Sequence, residues 1–219
     1  MITAEALQGK VLQLINEMDD DSDVTLLTRD SRQLLRHIDA LMPQAVLFVQ
    51  KNKGGGMLNP KSYLPGLDKM TYNGDGTGSI VLPDDFVALI ALRFDKWKRD
   101  CTILYDSDSY MAQLQSNPYT RSGCSRPVCT RDVSKEGAPA LCFWASQSDS
   151  LPVLRKFIYE ASYLPSEGLS GNDATLHNAV ACQCAGLLMT VFERRDSAAS
   201  FFALAASCLN NVEIGRGVV

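Results

Sequence analysis

Apolar residues recur at helical spacing near both ends of the chain and at strand spacing between them. Leu7, Val11, Leu14, Ile15 and Met18 follow Thr3, whose hydroxyl can accept from free first-turn amides. They predict an amphipathic helix that ends in the acidic turn Asp19, Asp20, Asp21 and Asp23. A second stripe, Leu34, Leu35, Ile38, Leu41, Met42, Ala45, Val46 and Val49, starts near Thr28 or Asp30 and runs straight through Pro43. Proline removes an amide donor and crowds the preceding turn, so a kink or a restart is expected there. Lys51 and Lys53 complement the negative helix end, and Gly54, Gly55 and Gly56 let the chain leave it.

The middle changes period. Met57 to Gly78 reads as loop, with Pro60, Pro65 and a turn cluster from Asn73 to Gly78. Strands are expected at Ser79 to Leu82, Val87 to Phe94, Cys101 to Tyr105, Pro127 to Arg131, Ala140 to Ala145 and Val153 to Ser162. The run from Phe86 to Leu92 is apolar on both faces, as a strand buried from both sides would be. Lys96, Lys98 and Arg99 flank Trp97 just before the Cys101 run, which predicts a hairpin carrying three cations and an indole at its turn. A short helix is expected over Asp106 to Ser116, capped by Ser107 or Asp108, with Tyr110, Met111 and Leu114 as its ridge. Asn117 and Pro118 end it.

Helix returns in the last third. Asp173 is the expected cap of a helix to about Glu193, and the stretch from Ala174 to Phe192 carries no formal charge. That is about the length of a bilayer span of ~20 residues. His177, Asn178, Gln183 and Thr190 argue instead for burial on nearly all sides, inside the fold or between subunits. Ala198, Phe201, Phe202, Ala205, Cys208, Leu209 and Val212 stripe a final helix whose flanks are thin. Helices, strands, helices make an α+β chain. The expected architecture is a helical bundle from the N- and C-terminal helices (1–56 plus 166–219) with an inserted antiparallel β-sandwich or barrel (57–165) projecting from it.

Composition narrows the chemistry. A net charge of −4 over 219 residues disfavours a general polyanion binder, so any basic patch must be local. Met1 to Asp20 has neither the basic start nor the apolar core of a secretory signal. The seven cysteines are odd in number and irregular in spacing, which reads as reduced thiols. Of the four in the β-rich middle, Cys124 and Cys129 are close, but Cys101 and Cys142 do not form the second close pair that a zinc knuckle needs. His37 and His177 both lie within helix patterns, no glycine-rich phosphate loop follows a strand, and Asn73 with Asp75 lacks the remaining ligands of a calcium loop. No catalytic, metal or cofactor site is expected. A cysteine-dependent enzyme would require a low-pKa thiol at Cys124 or Cys129. What remains is the cationic zone of Arg93, Lys96, Lys98, Arg99, Arg121, Arg126 and Arg131, with Trp97 and Tyr119 among them. It reads either as a solvated hairpin tip or as a docking patch for an acidic protein surface or DNA phosphates. A nucleic-acid-binding module, with or without zinc, is the alternative function.

Leu82-Pro83-Asp84-Asp85-Phe86, Leu92-Arg93, Trp97-Lys98, Tyr110, Asn117-Pro118-Tyr119-Thr120-Arg121 and Arg126-Pro127-Val128 together resemble the head-to-tail connector or tail-ring (portal adaptor-like) proteins of short-tailed, crAss-like bacteriophages. The resemblance covers Asn73 to Leu164 and extends more loosely to the turn Phe192 to Ala198. It implies a structural virion protein without catalytic residues, made in the host bacterial cytoplasm and placed in the phage neck or tail. There it would form a ring with itself, a dodecamer, joining portal to tail and continuing the DNA channel through which the genome is ejected. Its partners would be the portal, other neck or tail proteins and the passing DNA, with no membrane. On this reading Arg93, Lys96, Trp97, Lys98, Arg99, Arg121 and Arg126 dock a partner. Two helix faces pack the ring, Leu176, Val180, Leu187 and Val191 on one helix and Phe201, Phe202, Ala205 and Leu209 on the next.

Overall fold

The computed structural model describes residues 1–18, 31–53, 57–134, 137–144 and 152–214. The expected acidic turn after Met18, the helix start at Thr28 or Asp30, the triple glycine and the strand end at Ala145 lie outside these residues, as do the side chains of Met18 and Val212. Among the described residues the helices are α1 (Ala4–Met18), α2 (Ser31–Asn52), α3 (Tyr110–Ser116), α4 (Ala174–Val191) and α5 (Arg195–Ile214). The strands are β1 (Pro60–Ser62), β2 (Met70–Tyr72), β3 (Thr77–Val81), β4 (Phe86–Phe94), β5 (Leu104–Tyr105), β6 (Val128–Val133), β7 (Pro139–Trp144) and β8 (Leu154–Ala161). The chain is α+β and divides into two compact units, Met1–Asn59 with Ser162–Val219, and Pro60–Ala161.

The first unit is helical and is built around α4. This helix is uncharged and apolar over most of its surface, which requires cover on most sides, and α1, α2 and α5 each pack against it. Its start is fixed by Asp173, whose Oδ1 accepts from the amides of Thr175 (2.9 Å) and Leu176 (3.3 Å). Leu7, Val11 and Ile15 of α1 and Ile38, Met42 and Val49 of α2 complete the core. Each fully buried side chain of this size stabilises by about 1.5–3 kcal/mol relative to exposure. Pro43 neither ends nor restarts α2; it lies on the exposed face, where the missing amide costs one helical bond without burying the orphaned carbonyl. Helix α4 ends at Phe192, and Glu193, at φ 60°, turns the chain. The amide of Arg194 donates to the carbonyl of Met189 (2.9 Å) and that of Glu193 to Thr190 (3.1 Å), the bond pair of a Schellman ending. Helix α5 then packs back on α4, and Gly186 makes the close approach possible, since a Cβ there would stand 2.6 Å from the ring of Phe202.

The second unit carries two sheets, one ordered β1-β8-β4 and the other β2-β3-β7-β6-β5. Neither closes into a barrel, and the pairing is antiparallel except for β5 with β6. Both sheets contribute to one core in which Leu92, Phe94, Phe157, Ile80, Leu141 and Phe143 are buried. The expected hairpin after β4 is corrected. Strand β4 pairs along its length with β8. The Cys101 run gives it only one bridge, the two amides of Leu92 and Cys101 exchanging bonds of 2.8 Å, before Leu104 and Tyr105 join the other sheet. The stretch read as loop contains the short strands β1 and β2. Helix α3 begins at Tyr110 with Ser109, not Ser107 or Asp108, as cap: its Oγ accepts from Ala112 at 3.2 Å. The run from Phe86 to Leu92 is also not buried from both sides throughout, because Ala88 is exposed and Val87 and Ile90 are only half-buried.

Candidate interaction surface

The motifs of the second unit are first of all structural. Pro83 sets a turn closed by the amide of Phe86 on the carbonyl of Pro83 (3.0 Å), and Asp85 is pinned behind it by Lys61 Nζ (2.9 Å) and Tyr159 Oη (2.7 Å). Burial works against ionisation of Asp85, but these two donors win and hold the carboxyl below its ordinary range. Asn117 caps its own turn, its Oδ1 accepting from the amide of Tyr119 at 3.0 Å. The Arg121 guanidinium is committed to fixing local structure: Nε donates to the carbonyl of Gln115 (3.1 Å), and Nη1 pairs with the carboxylate of Asp75 at 3.6 Å. Tyr119 stands in solvent.

The remaining cations gather at the end of β4. Beyond Phe94, the amide of Asp95 donates to the carbonyl of Val153 (2.9 Å) and that of Lys98 to Cys124 (2.9 Å). These bonds tie the loop 95–100 to the turn that holds Arg126 and to the start of β8. Arg93 and Lys156 are directly opposed in the β4–β8 register, which would repel, and Asp100 bridges them, 3.6 Å from Arg93 Nη1 and 2.7 Å from Lys156 Nζ. Lys96, Lys98, Arg99 and Arg126 are exposed and form no ion pair among the described residues. With Arg155, this end carries seven cations against Asp95 and Asp100. Arg155 and Lys156 were missed from sequence because their place here depends on a strand pairing made across some sixty positions.

Trp97 does not belong to the exposed patch. A turn closed by its amide on the carbonyl of Phe94 (3.1 Å) swings the indole inward, where it is 2 % exposed and packs edge-on to Phe94 at 5.0 Å between centroids. It anchors the loop from below.

The helix faces expected to pack a ring are mostly internal. Leu176, Val180, Phe201, Ala205 and Leu209 are core residues of the helical unit, while Leu187 and Phe202 are half-buried and Val191 is exposed. Truncating a core leucine or phenylalanine costs about 2–5 kcal/mol. Variants at those positions therefore test folding rather than assembly. By length and composition α4 could cross a membrane, but its burial among α1, α2 and α5 accounts for its apolar surface.

Among the described residues no group of three or more His, Cys, Asp or Glu is placed to hold a metal. Cys129 is sealed in the core, and burial followed by the neighbouring Cys101 thiol pushes its own thiol well up, the reverse of what a nucleophile requires. Cys142, beside Asp132, is pushed up to about 11, first by burial. His177 is buried in the helical unit, and His37 meets Phe192 edge-on within the same unit. No protein-family model matches the chain, and no curated protein matches it.

Proposed function

We propose that the chain is a structural virion protein that forms a ring in a phage neck or tail, joins portal to tail and continues the channel for genome passage. On this reading the helical unit is a bundle and the second unit an inserted antiparallel sandwich. The dodecameric ring works without an active site, metal or cofactor. The observation that carries the proposal is the cationic end of β4. In a protein of net charge −4, three cations without ion pairs are held on a loop anchored by a buried tryptophan, and a fourth, Arg126, on the turn bonded to it. That is the arrangement of a rigid docking surface for an acidic protein face, in which complementary charge sets orientation and register. The sequence resemblance supplies the setting.

Electron microscopy of the protein mixed with its neighbouring virion components tests it. A closed ring around a central channel, coaxial with the portal, is the expected image. Monomers bound singly, or two-fold dimers, would overturn the proposal. So would loss of ring formation in favour of salt-sensitive retention of duplex DNA, which would make the cationic end a nucleic-acid surface.

A further inference from the structure

The end of the second unit opposite the cationic loop has the complementary character. Where β4 begins, Leu82, Pro83, Phe86, Val133 and Pro139 line an open groove of about 610 Å3. The same lining carries Asp84, Asp106 and Asp132, all exposed. The one cation in the lining, Arg131, is already occupied: its guanidinium lies over the Phe86 ring at 5.7 Å and Nη2 donates to the carbonyl of Val87 at 3.5 Å. Asp84 and Asp106 form no ion pair among the described residues. A groove lined by apolar residues and exposed carboxylates suits a partner that brings cations on a short, stiff loop.

We infer that this groove receives the cationic end of a second copy of the same chain, residues Lys96, Lys98, Arg99 and Arg126. The inference rests on the ring reading above and names the partner of its docking surface. Polarity along β4 carries it. The strand runs nine residues from the groove to the cationic loop, about 26 Å at 3.3 Å per residue. That is more than twice the Debye length of about 10 Å at 0.1 M salt. The two patches therefore barely neutralise each other within one molecule, and each is free to pair with the opposite patch on a neighbour. Because the joined surfaces differ, the contact is heterologous and propagates head to tail, closing a ring where the rotation permits and otherwise giving an open filament. Exposed charge pairs contribute little each, about 0–1 kcal/mol, so the contact is expected to be weak in the isolated protein and salt-sensitive.

The test is reciprocal charge reversal followed by sedimentation velocity at low and high ionic strength. The full chain should self-associate with rising concentration at low salt and dissociate at high salt. Lys98→Glu with Arg99→Glu should weaken association at least about tenfold, and Asp84→Lys with Asp106→Lys should do the same. The Asp84→Lys, Asp106→Lys variant keeps its cationic end and the Lys98→Glu, Arg99→Glu variant keeps its acidic groove, so mixing them should restore association in one-to-one pairs. All four side chains are exposed, and thermal melts of the variants check that the fold is kept. Failure of the mixture to associate, or wild-type association by either variant alone, would overturn the inference. So would a wild-type protein that stays monomeric at low salt. The two proposals separate cleanly. Rings that still form with both reversed variants on the virion components would leave the ring standing and remove this contact, whereas absence of rings would remove both.

Discussion

The imidazole of His177 is 6 % exposed near the start of α4, and its Nε2 finds no hydrogen-bond partner among the described groups. Burial, its main influence, pulls the pKa below the ordinary 6.5, against the smaller opposing effect of the Gly171 carbonyl. A base whose folded pKa is depressed binds fewer protons folded than unfolded. Stability is therefore complete above pH ~6.5 and falls as pH drops below it. The loss cannot exceed about 1.4 kcal/mol per pH unit for one group. Urea midpoints measured at about pH 7.5 and 5.5 should drop for the wild type, and His177→Gln should flatten that dependence, with exposed His37 present in both proteins. Parallel slopes in the two proteins would mean the imidazole is not desolvated. Neighbouring residue types alone left Trp97 misjudged. Three cations beside it suggest solvent, but backbone geometry decides, and the turn bond to Phe94 points the indole into the core.

The corner between α4 and α5 shows how an element can be held in a conformation its residue disfavours. Glu193 has a left-handed backbone, costing about 1–2 kcal/mol for a residue with a Cβ, and an acidic side chain at the negative end of a helix. Glycine removes the steric cost but gains entropy when unfolded, about 0.5–1 kcal/mol. Glu193→Gly should on balance stabilise the protein by about 0.5–1 kcal/mol, read as a higher urea midpoint with an unchanged slope. A lower midpoint would show that the Glu193 side chain makes a stabilising contact. The same corner was readable in advance only as a break between stripes. The helices were legible because Leu7, Val11 and Ile15, or Phe201, Ala205 and Leu209, repeat at a period set by one element alone. Strand partners carry no such local signal. The short strands β1 and β2 look like loop, and β4 found β8 rather than the adjacent Cys101 run because sheet pairing is chosen by the assembled core. That mispairing also hid the groove and, at the cationic end, Arg155 and Lys156, since these are brought in by segments distant in sequence.

At the scale of the whole chain, the β-rich unit interrupts the helical one between Asn59 and Ser162, and both sets of cut ends are already closed. In the helical unit Asn59 Nδ2 donates to the carbonyl of Ser162 at 3.1 Å, and Asn59 Oδ1 accepts from Ser170 Oγ at 2.9 Å. In the other, Pro60 is the Cα partner of Glu160 in the β1–β8 pair, so its first and next-to-last residues are one strand spacing apart, about 5 Å. Each unit has its own buried core, and each is of about 100 residues, a size at which single domains fold alone. Two excised proteins are therefore expected to fold. Residues 60–161 alone should give a β-type far-UV spectrum, and 1–59 joined to 162–219 by a short Gly-Ser linker a helical one. Each should melt in a single cooperative transition. A piece that is soluble yet melts without a transition would show that its core depends on the other unit. Folding of both would mean that the charged ends of β4 are presented by a self-supporting domain, so charge changes there can alter association while leaving the helical core untouched.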